Sequence, residues 1–208
     1  SFPLPEGMEG KMKFKIKNFG FLIVLLFLSL SAPLLSRAEE RSAGKEELKA
    51  VKAGKQAAFQ WENNGSYWNL LYLDTKNAAW KYARRQWVQI GDRYYYFLDD
   101  GKLAEGWFQD PAKKESWYFA ECDSAKHDNP NAGRVLTGWA MIPDSTGVTQ
   151  HFYFGASAKG RPSGMYQGEG EYYKSYEIDG KKYSFDAAGH CSSKDYPAGI
   201  ESFALKRV

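Results

Sequence analysis

A seven-residue phrase occurs twice in this chain, and it constrains the fold more than any other feature. Gly101-Lys-Leu103-Ala-Glu-Gly106-Trp107 and Gly133-Arg-Val135-Leu-Thr-Gly138-Trp139 agree in Gly, an aliphatic residue, Gly and Trp, position for position. Recurrence of this kind marks a repeat architecture, which must be tested before any other fold. Trp87 stands 20 residues before Trp107. The stretch between them divides cleanly. Trp87 to Ile90 reads as a short strand, Gly91-Asp92 as a tight turn and Tyr94 to Leu98 as a return strand of high β propensity. Asp99-Asp100-Gly101 is a second turn, where glycine supplies a positive φ. One unit is a β-hairpin plus a connecting loop.

The unit recurs along the chain. Trp107 opens a second, with return strand Trp117-Tyr118-Phe119 and an insertion, Cys122 to Ala132, rich in Asp, Asn and Pro. Trp139 opens a third, with return strand His151 to Phe154, ending near Gly164-Met165. Ile178 to Cys191 is the last. Upstream, Trp61 to Trp68 reads as a degenerate first hairpin turning at Asn64-Gly65. Residues 69–86 are ambiguous, and Asn77 to Arg85 reads equally well as a short helix.

Composition supports a repeat. Aromatic residues are 16% of the chain, and its 7 Trp and 14 Tyr all lie between Trp61 and Tyr196. A lone hairpin is marginal in water and cannot bury its own aromatic face. Stacked hairpins bury one unit's rings against the next. The expected fold class is all-β, a solenoid of tandem β-hairpins over residues 61–191, followed by a tail over 192–208. Phe97, Phe119, Phe154 and Phe185 are expected in the core. Tyr94 and Tyr96 share one strand face and Tyr95 takes the other.

The first 60 residues differ. A basic segment, Met12 to Lys17, precedes an apolar run from Phe19, which ends near Ser36-Arg37-Ala38. That order is the pattern of a secretory signal peptide spanning residues 1–38. The apolar run is shorter than the roughly 20 residues of a membrane span. Signal peptides begin with their basic segment, so initiation at Met12 or Met8 is expected, with residues 1–11 an over-extended start. Residues 39–60 are rich in Lys, Glu and Ala and read as a charged helix or linker whose apolar residues are too few and small to build a core. The formal charge of +3 belongs to residues 1–38, leaving the remainder neutral. Such a balance gives no reason to expect nucleic acid.

The run from Trp87 to Trp107 resembles the cell-wall-binding, or choline-binding, repeat. That repeat is Gly-Trp, a short turn, Trp-Tyr-Tyr, Gly-x-Met, then Thr-Gly-Trp. Tyr94-Tyr95-Tyr96 stands at the Trp-Tyr-Tyr place and Leu103 at the Met place. Gly106-Trp107 and Thr137-Gly138-Trp139 stand at the Gly-Trp places. The resemblance implies attachment of a Gram-positive surface protein to choline-bearing teichoic acid, or to glycan as in glucan-binding relatives. Departures from the pattern include Tyr94, His151 and Lys182 at the first Trp place of their units, and Gln86 at the Gly place before Trp87. They imply fewer ligand sites than hairpins.

A quaternary ammonium offers no hydrogen bond at nitrogen and is held by ring faces. Two ligand cages are candidates: Trp87, Tyr94 and Trp107; and Trp107, Trp117 and Trp139. The same rings are needed to hold hairpins together, so structural packing is the competing role. His127, His151 and His190 lack metal-ligand spacing. Asp99-Asp100 reads as turn chemistry. Glu169 and Glu171 carry no calcium motif. No nucleophile elbow is present. Cys122 and Cys191 are the two cysteines. A disulfide between them is open, while Cys191, at the Leu/Met place, favours a buried free thiol.

The sequence therefore points to a secreted, non-catalytic protein without cofactor or metal, associated with the cell surface or wall. Its partner is teichoic-acid choline or a wall or exopolysaccharide glycan, and no transmembrane segment remains after processing. The alternative is a structural display rod or adhesin for a protein partner, presenting the Cys122–Ala132 insertion.

Overall fold

A computed structural model describes residues 12–16, 23–25, 40–63, 65, 67–122, 132–192 and 196–205. The molecule is mostly β, built of antiparallel hairpins with one short helix. It divides into two compact units, Ser1–Ala104 and Glu105–Val208.

The first unit holds β1 (Met12–Ile16), β2 (Ile23–Leu25), β3 (Arg41–Ser42), α1 (Lys45–Lys52), β4 (Phe59–Asn63), β5 (Trp68–Asp74), β6 (Ala79–Tyr82), β7 (Gln86–Ile90) and β8 (Arg93–Phe97). They form two four-stranded sheets, ordered β3-β6-β5-β4 and β2-β1-β7-β8. Of the segment read as a signal peptide, only β1 and β2 fall among the described residues; β1 pairs with β7 through Phe14 and Ile90. Among the described residues no helix is long and apolar enough to cross a membrane.

The hairpin at Trp61–Trp68 is present, with Asn63 opposite Trp68. Residues 69–86, ambiguous in sequence, contain strands β5 and β6 and no helix. Asp74 accepts the Lys76 and Asn77 backbone N–H groups at 3.1 and 3.3 Å, bonds that suit a turn and a helix start alike, and the Lys81 ammonium at 2.9 Å. Ala78, at φ 51°, then turns the chain back into β6 where a helix would have needed a negative φ. Strand β5 is buried on both faces. Trp68 and Leu70 join Val88, Tyr95 and Phe97 in one core. Leu71 and Leu73 join Trp80, Val51 and Ala58 in another. The charged segment is thus a helix that completes a core on β5 and β6. The small residues Val51 and Ala58 suffice because the sheet supplies the large ones.

The second unit holds β9 (Gly106–Gln109), β10 (Trp117–Ala120), β11 (Gly138–Pro143), β12 (Thr149–Ala156), β13 (Pro162–Met165), β14 (Lys174–Ile178) and β15 (Lys181–Phe185). The pairs β9–β10, β11–β12 and β14–β15 are the expected second, third and last hairpins, and β13 adds to β12. The insertion is described only at its ends, so His127 lies outside the described residues.

One closing geometry recurs after the return strands. Leu98 N–H donates to Lys102 O at 2.8 Å, and Ala104 N–H to Tyr96 O at 2.8 Å. Glu121 and Leu136 donate to Arg134 O and Phe119 O at 2.9 Å each. Asp186 and Ser192 donate to His190 O and Ser184 O at 3.1 and 2.9 Å. The third repeat lengthens this loop with a register shift at Gly155/Ala156. Neighbouring hairpins are also stapled through the backbone, Leu103 N–H to Trp68 O at 2.8 Å and Cys191 N–H to His151 O at 2.9 Å.

The Gly-Trp dipeptide has a backbone cause. Gly106 and Gly138 enter their strands at φ of 71° and 83°, a region costly for residues with a Cβ. Where Gln86 replaces this glycine, the positive φ of 46° falls on Arg85 instead. Phe97, Phe119, Phe154 and Phe185 are fully buried, and Cys122 and Cys191 are buried in different clusters.

Candidate aromatic binding site

Three tryptophans sit in nearly the same ring environment. Trp61 of β4 meets Tyr95 and Phe97 of β8 at 5.3 and 5.9 Å, with ring planes at 69° and 39°. Trp107 of β9 meets Phe152 and Phe154 of β12 at 5.0 and 5.8 Å, at 65° and 40°. Trp139 of β11 meets Tyr183 and Phe185 of β15 at 4.8 and 6.0 Å, at 71° and 29°. Each tryptophan rests across alternate residues of a later return strand. The first contact in each set is edge-to-face, as ring quadrupoles favour.

The expected site residues fall as follows. Trp87 is 6% exposed and packs across the strand pair against Tyr96 at 5.2 Å. Half-buried Tyr94 is opposite Gln89, which places it diagonal to Trp87 on the same hairpin face. Trp107, half-buried, is in the second unit with Phe119, Ala140, Ile142, Phe152 and Phe154. Trp117, opposite Gln109, is 39% exposed and lies diagonal to Trp107 on one face of β9–β10. Trp139, half-buried, belongs to a different cluster, with Ile178, Tyr183, Phe185 and Cys191. The geometry therefore pairs Trp87 with Tyr94 and Trp107 with Trp117, and places Trp139 with other rings.

Those other rings escaped the sequence reading. Tyr153, Tyr166, Tyr176 and Tyr196 all pack against the Trp139 cluster. Tyr166 stacks on Tyr176 at 4.2 Å and 22°, and the Lys174 ammonium lies 5.4 Å from the Tyr176 ring centre. His151, at a Trp place of the repeat, stacks flat on Tyr196 at 3.6 Å and 4°. Burial holds the His151 imidazole below its ordinary value and pushes the Tyr153 phenol up, the latter aided by Tyr166 and Asp179. The Trp139 indole N–H is buried and has no hydrogen-bond partner among the described residues. Tyr166 follows Met165 directly, a weak signal for its place; nothing local in the sequence pointed to Tyr196.

Titratable chemistry is structural where it is strongest. Asp99 pairs with Arg85, and Asp100 accepts from Lys102. Asp144 accepts Thr146, Val148 and Gln150 donors within its own turn, and the hydroxyl and amide bonds hold it well below the carboxylate range. Among the described residues no group of His, Cys, Asp or Glu has metal-binding geometry.

No protein-family model and no characterised protein sequence matches the chain. Solved structures do. The modular Cpl-1 endolysin in its wild-type form, complexed with a peptidoglycan analogue, is 14% identical with a TM-score of 0.35, covering 81% of this chain and 44% of that one. The multimodular pneumococcal cell wall endolysin from phage Cp-1, complexed with choline, is 17% identical with a TM-score of 0.35, covering 72% and 42%. CbpJ from Streptococcus pneumoniae TIGR4 is 22% identical with a TM-score of 0.27, covering 67% and 44%. The chain thus matches less than half the length of each.

Proposed function

We propose that this protein is a secreted, non-catalytic binding module that attaches to the Gram-positive cell envelope through aromatic sites, with the quaternary ammonium of teichoic-acid choline as ligand. The observation that supports this most is the tryptophan geometry repeated at Trp61, Trp107 and Trp139. It sets half-buried ring faces at the places where hairpins pack. Such faces attract a quaternary ammonium by about 0.5–2 kcal/mol per contact. Tandem hairpins with this packing are read as a solenoid, and several weak sites on one chain give avidity.

A glycan ligand is the second reading, and a specific observation favours it. Trp117, Tyr172 and Tyr173, 39%, 81% and 62% exposed, are the exposed aromatic rings among the described residues and would serve as flat platforms for sugars.

Passage over choline-substituted resin, and separately over wall polysaccharides and glucans, tests both. Retention on choline resin with elution by free choline is expected. Trp117→Ala is the informative variant, because its ring is exposed and its loss leaves the fold intact. Reduced retention of Trp117→Ala on glycan alone would transfer the function to the second reading. Absence of retention on every matrix would refute both.

A further inference from the structure

We propose that residues 196–205 form an intramolecular cap on the Trp139 ring cluster, occupying a ligand position that choline must take over. The inference deepens the ring-site reading above and rests on it.

The segment lies beyond the last hairpin, yet it contributes to both aromatic clusters of the second unit. Phe203 is 8% exposed and joins the Trp107 cluster, facing Phe119 at 6.5 Å. Tyr196 joins the Trp139 cluster. Between them the backbone runs parallel to β11, with Met141 N–H donating to Glu201 O at 2.9 Å and Phe203 N–H to Met141 O at 2.8 Å. The Arg134 guanidinium lies 3.7 Å from the exposed Glu201 carboxylate.

Tyr196 is the unusual ring. The repeated environment of Trp61 and Trp107 is built from hairpin residues. Trp139 has the same hairpin contacts, plus Tyr196 at 6.5 Å and 67°. The other neighbour of Tyr196 is His151, flat against it at 3.6 Å. Tyr196 therefore covers the ring at a Trp place of the repeat and meets Trp139 edge to face. A cation bound at this Trp place would need the ring face that Tyr196 covers. The Trp139 indole N–H is buried and has no hydrogen-bond partner among the described residues. A ligand carrying an oxygen near its ammonium, as choline does, supplies the acceptor that this donor lacks.

The anchoring is asymmetric. Phe203 is buried, while Tyr196 is only half-buried and residues 197–199 are exposed. Tyr196 can thus leave while Phe203 holds the segment in place. A cap closed in nine molecules of ten weakens apparent affinity about tenfold.

Choline titration by calorimetry of the full chain, Tyr196→Ala and Tyr196→Phe decides the matter. Tyr196→Ala is expected to bind choline about tenfold more tightly at one site, with Tyr196→Phe matching the wild type in ring contact and affinity. The His151 imidazole, followed by NMR, should titrate higher in Tyr196→Ala as its covering ring is lost. Equal binding by all three proteins would overturn the cap and leave the ring-site reading standing. No binding by any of them would overturn the ring-site reading and the cap with it. Should Tyr196→Ala unfold, NMR of the wild type titrated with choline decides. Choline moving the Tyr196 and His151 ring signals while the Phe203 ring signals stay in place supports a cap that opens on its anchor. Choline binding that leaves the Tyr196 and His151 ring signals unmoved overturns it.

Discussion

Trp107 and Trp117 lie diagonally on the same face of one hairpin and have opposite consequences when removed. Trp107 has ring neighbours at 5.2, 5.0 and 5.8 Å, so Trp107→Ala opens a cavity among Phe119, Phe152 and Phe154. It is expected to cost about 3–5 kcal/mol, read from the urea midpoint. Trp117→Ala, at an exposed ring, is expected to shift that midpoint by no more than about 0.5 kcal/mol. A binding defect in Trp107→Ala therefore carries no information about ligand contact until folding is measured. Gly138 gives a separate test of the backbone. A Cβ there meets nothing within 4 Å, so the cost of Gly138→Ala comes from φ alone. About 1–2 kcal/mol of destabilisation is expected. No loss would show that the strand entry relaxes to a negative φ.

At the scale of elements, helix α1 is fastened by one carboxylate. Glu47 accepts Arg41 Nη2 at 2.7 Å, the Trp80 indole N–H at 2.9 Å and the Gly44 N–H at 3.3 Å. The Arg41 bond, outweighing burial and aided by Trp80, lowers the Glu47 carboxyl from 4.5 to about 2. A depressed carboxylate contributes stability that is complete above its unfolded value. That contribution is lost as pH falls from about 4.5 toward 2. With Arg41 half-exposed to solvent, about 1 kcal/mol is the expected size. Glu47→Gln should flatten this part of the stability–pH profile between pH 5 and 2, and an unchanged slope would assign the acid sensitivity elsewhere. The docking of α1 was hidden in the sequence because its apolar residues are small and their partners, Leu71, Leu73 and Trp80, come later in the chain. The hairpins were legible because their signals are local: Gly91-Asp92 and Asp179-Gly180 turns, alternating rings, and glycine before tryptophan. Strands β5 and β6 were ambiguous because the bonds of Asp74 suit a turn and a helix start alike, while the left-handed backbone that ends the helix option falls on Ala78, a residue with no local signal for it. The candidate site was legible in residue type and not in grouping. Trp107 and Trp139 close closely similar local phrases, and what separates them is which return strand lies beneath each ring.

At the scale of the molecule, four hydrophobic clusters each draw their residues from a single unit. Trp68, Leu70, Val88, Tyr95 and Phe97 draw on the first unit, as do Val51, Leu71 and Trp80. Phe119, Ile142, Phe152 and Phe154 draw on the second, as do Ile178, Tyr183 and Phe185. In a chain of stacked repeats, stability approximates a sum of unit terms and neighbour terms. A self-contained core then predicts self-contained folding. A fragment of residues 105–208 is expected to unfold cooperatively in urea and to keep the near-UV signal of Trp107, Trp117 and Trp139. It should also expose both thiols only on unfolding, since Cys122 and Cys191 lie in its two cores. A fragment with strand content but no near-UV signal would mean that its rings pack only with the first unit present. The ring contacts within 105–208 argue against that, because Trp107 meets Phe119, Phe152 and Phe154 there and Trp139 meets Tyr153, Tyr183, Phe185 and Tyr196.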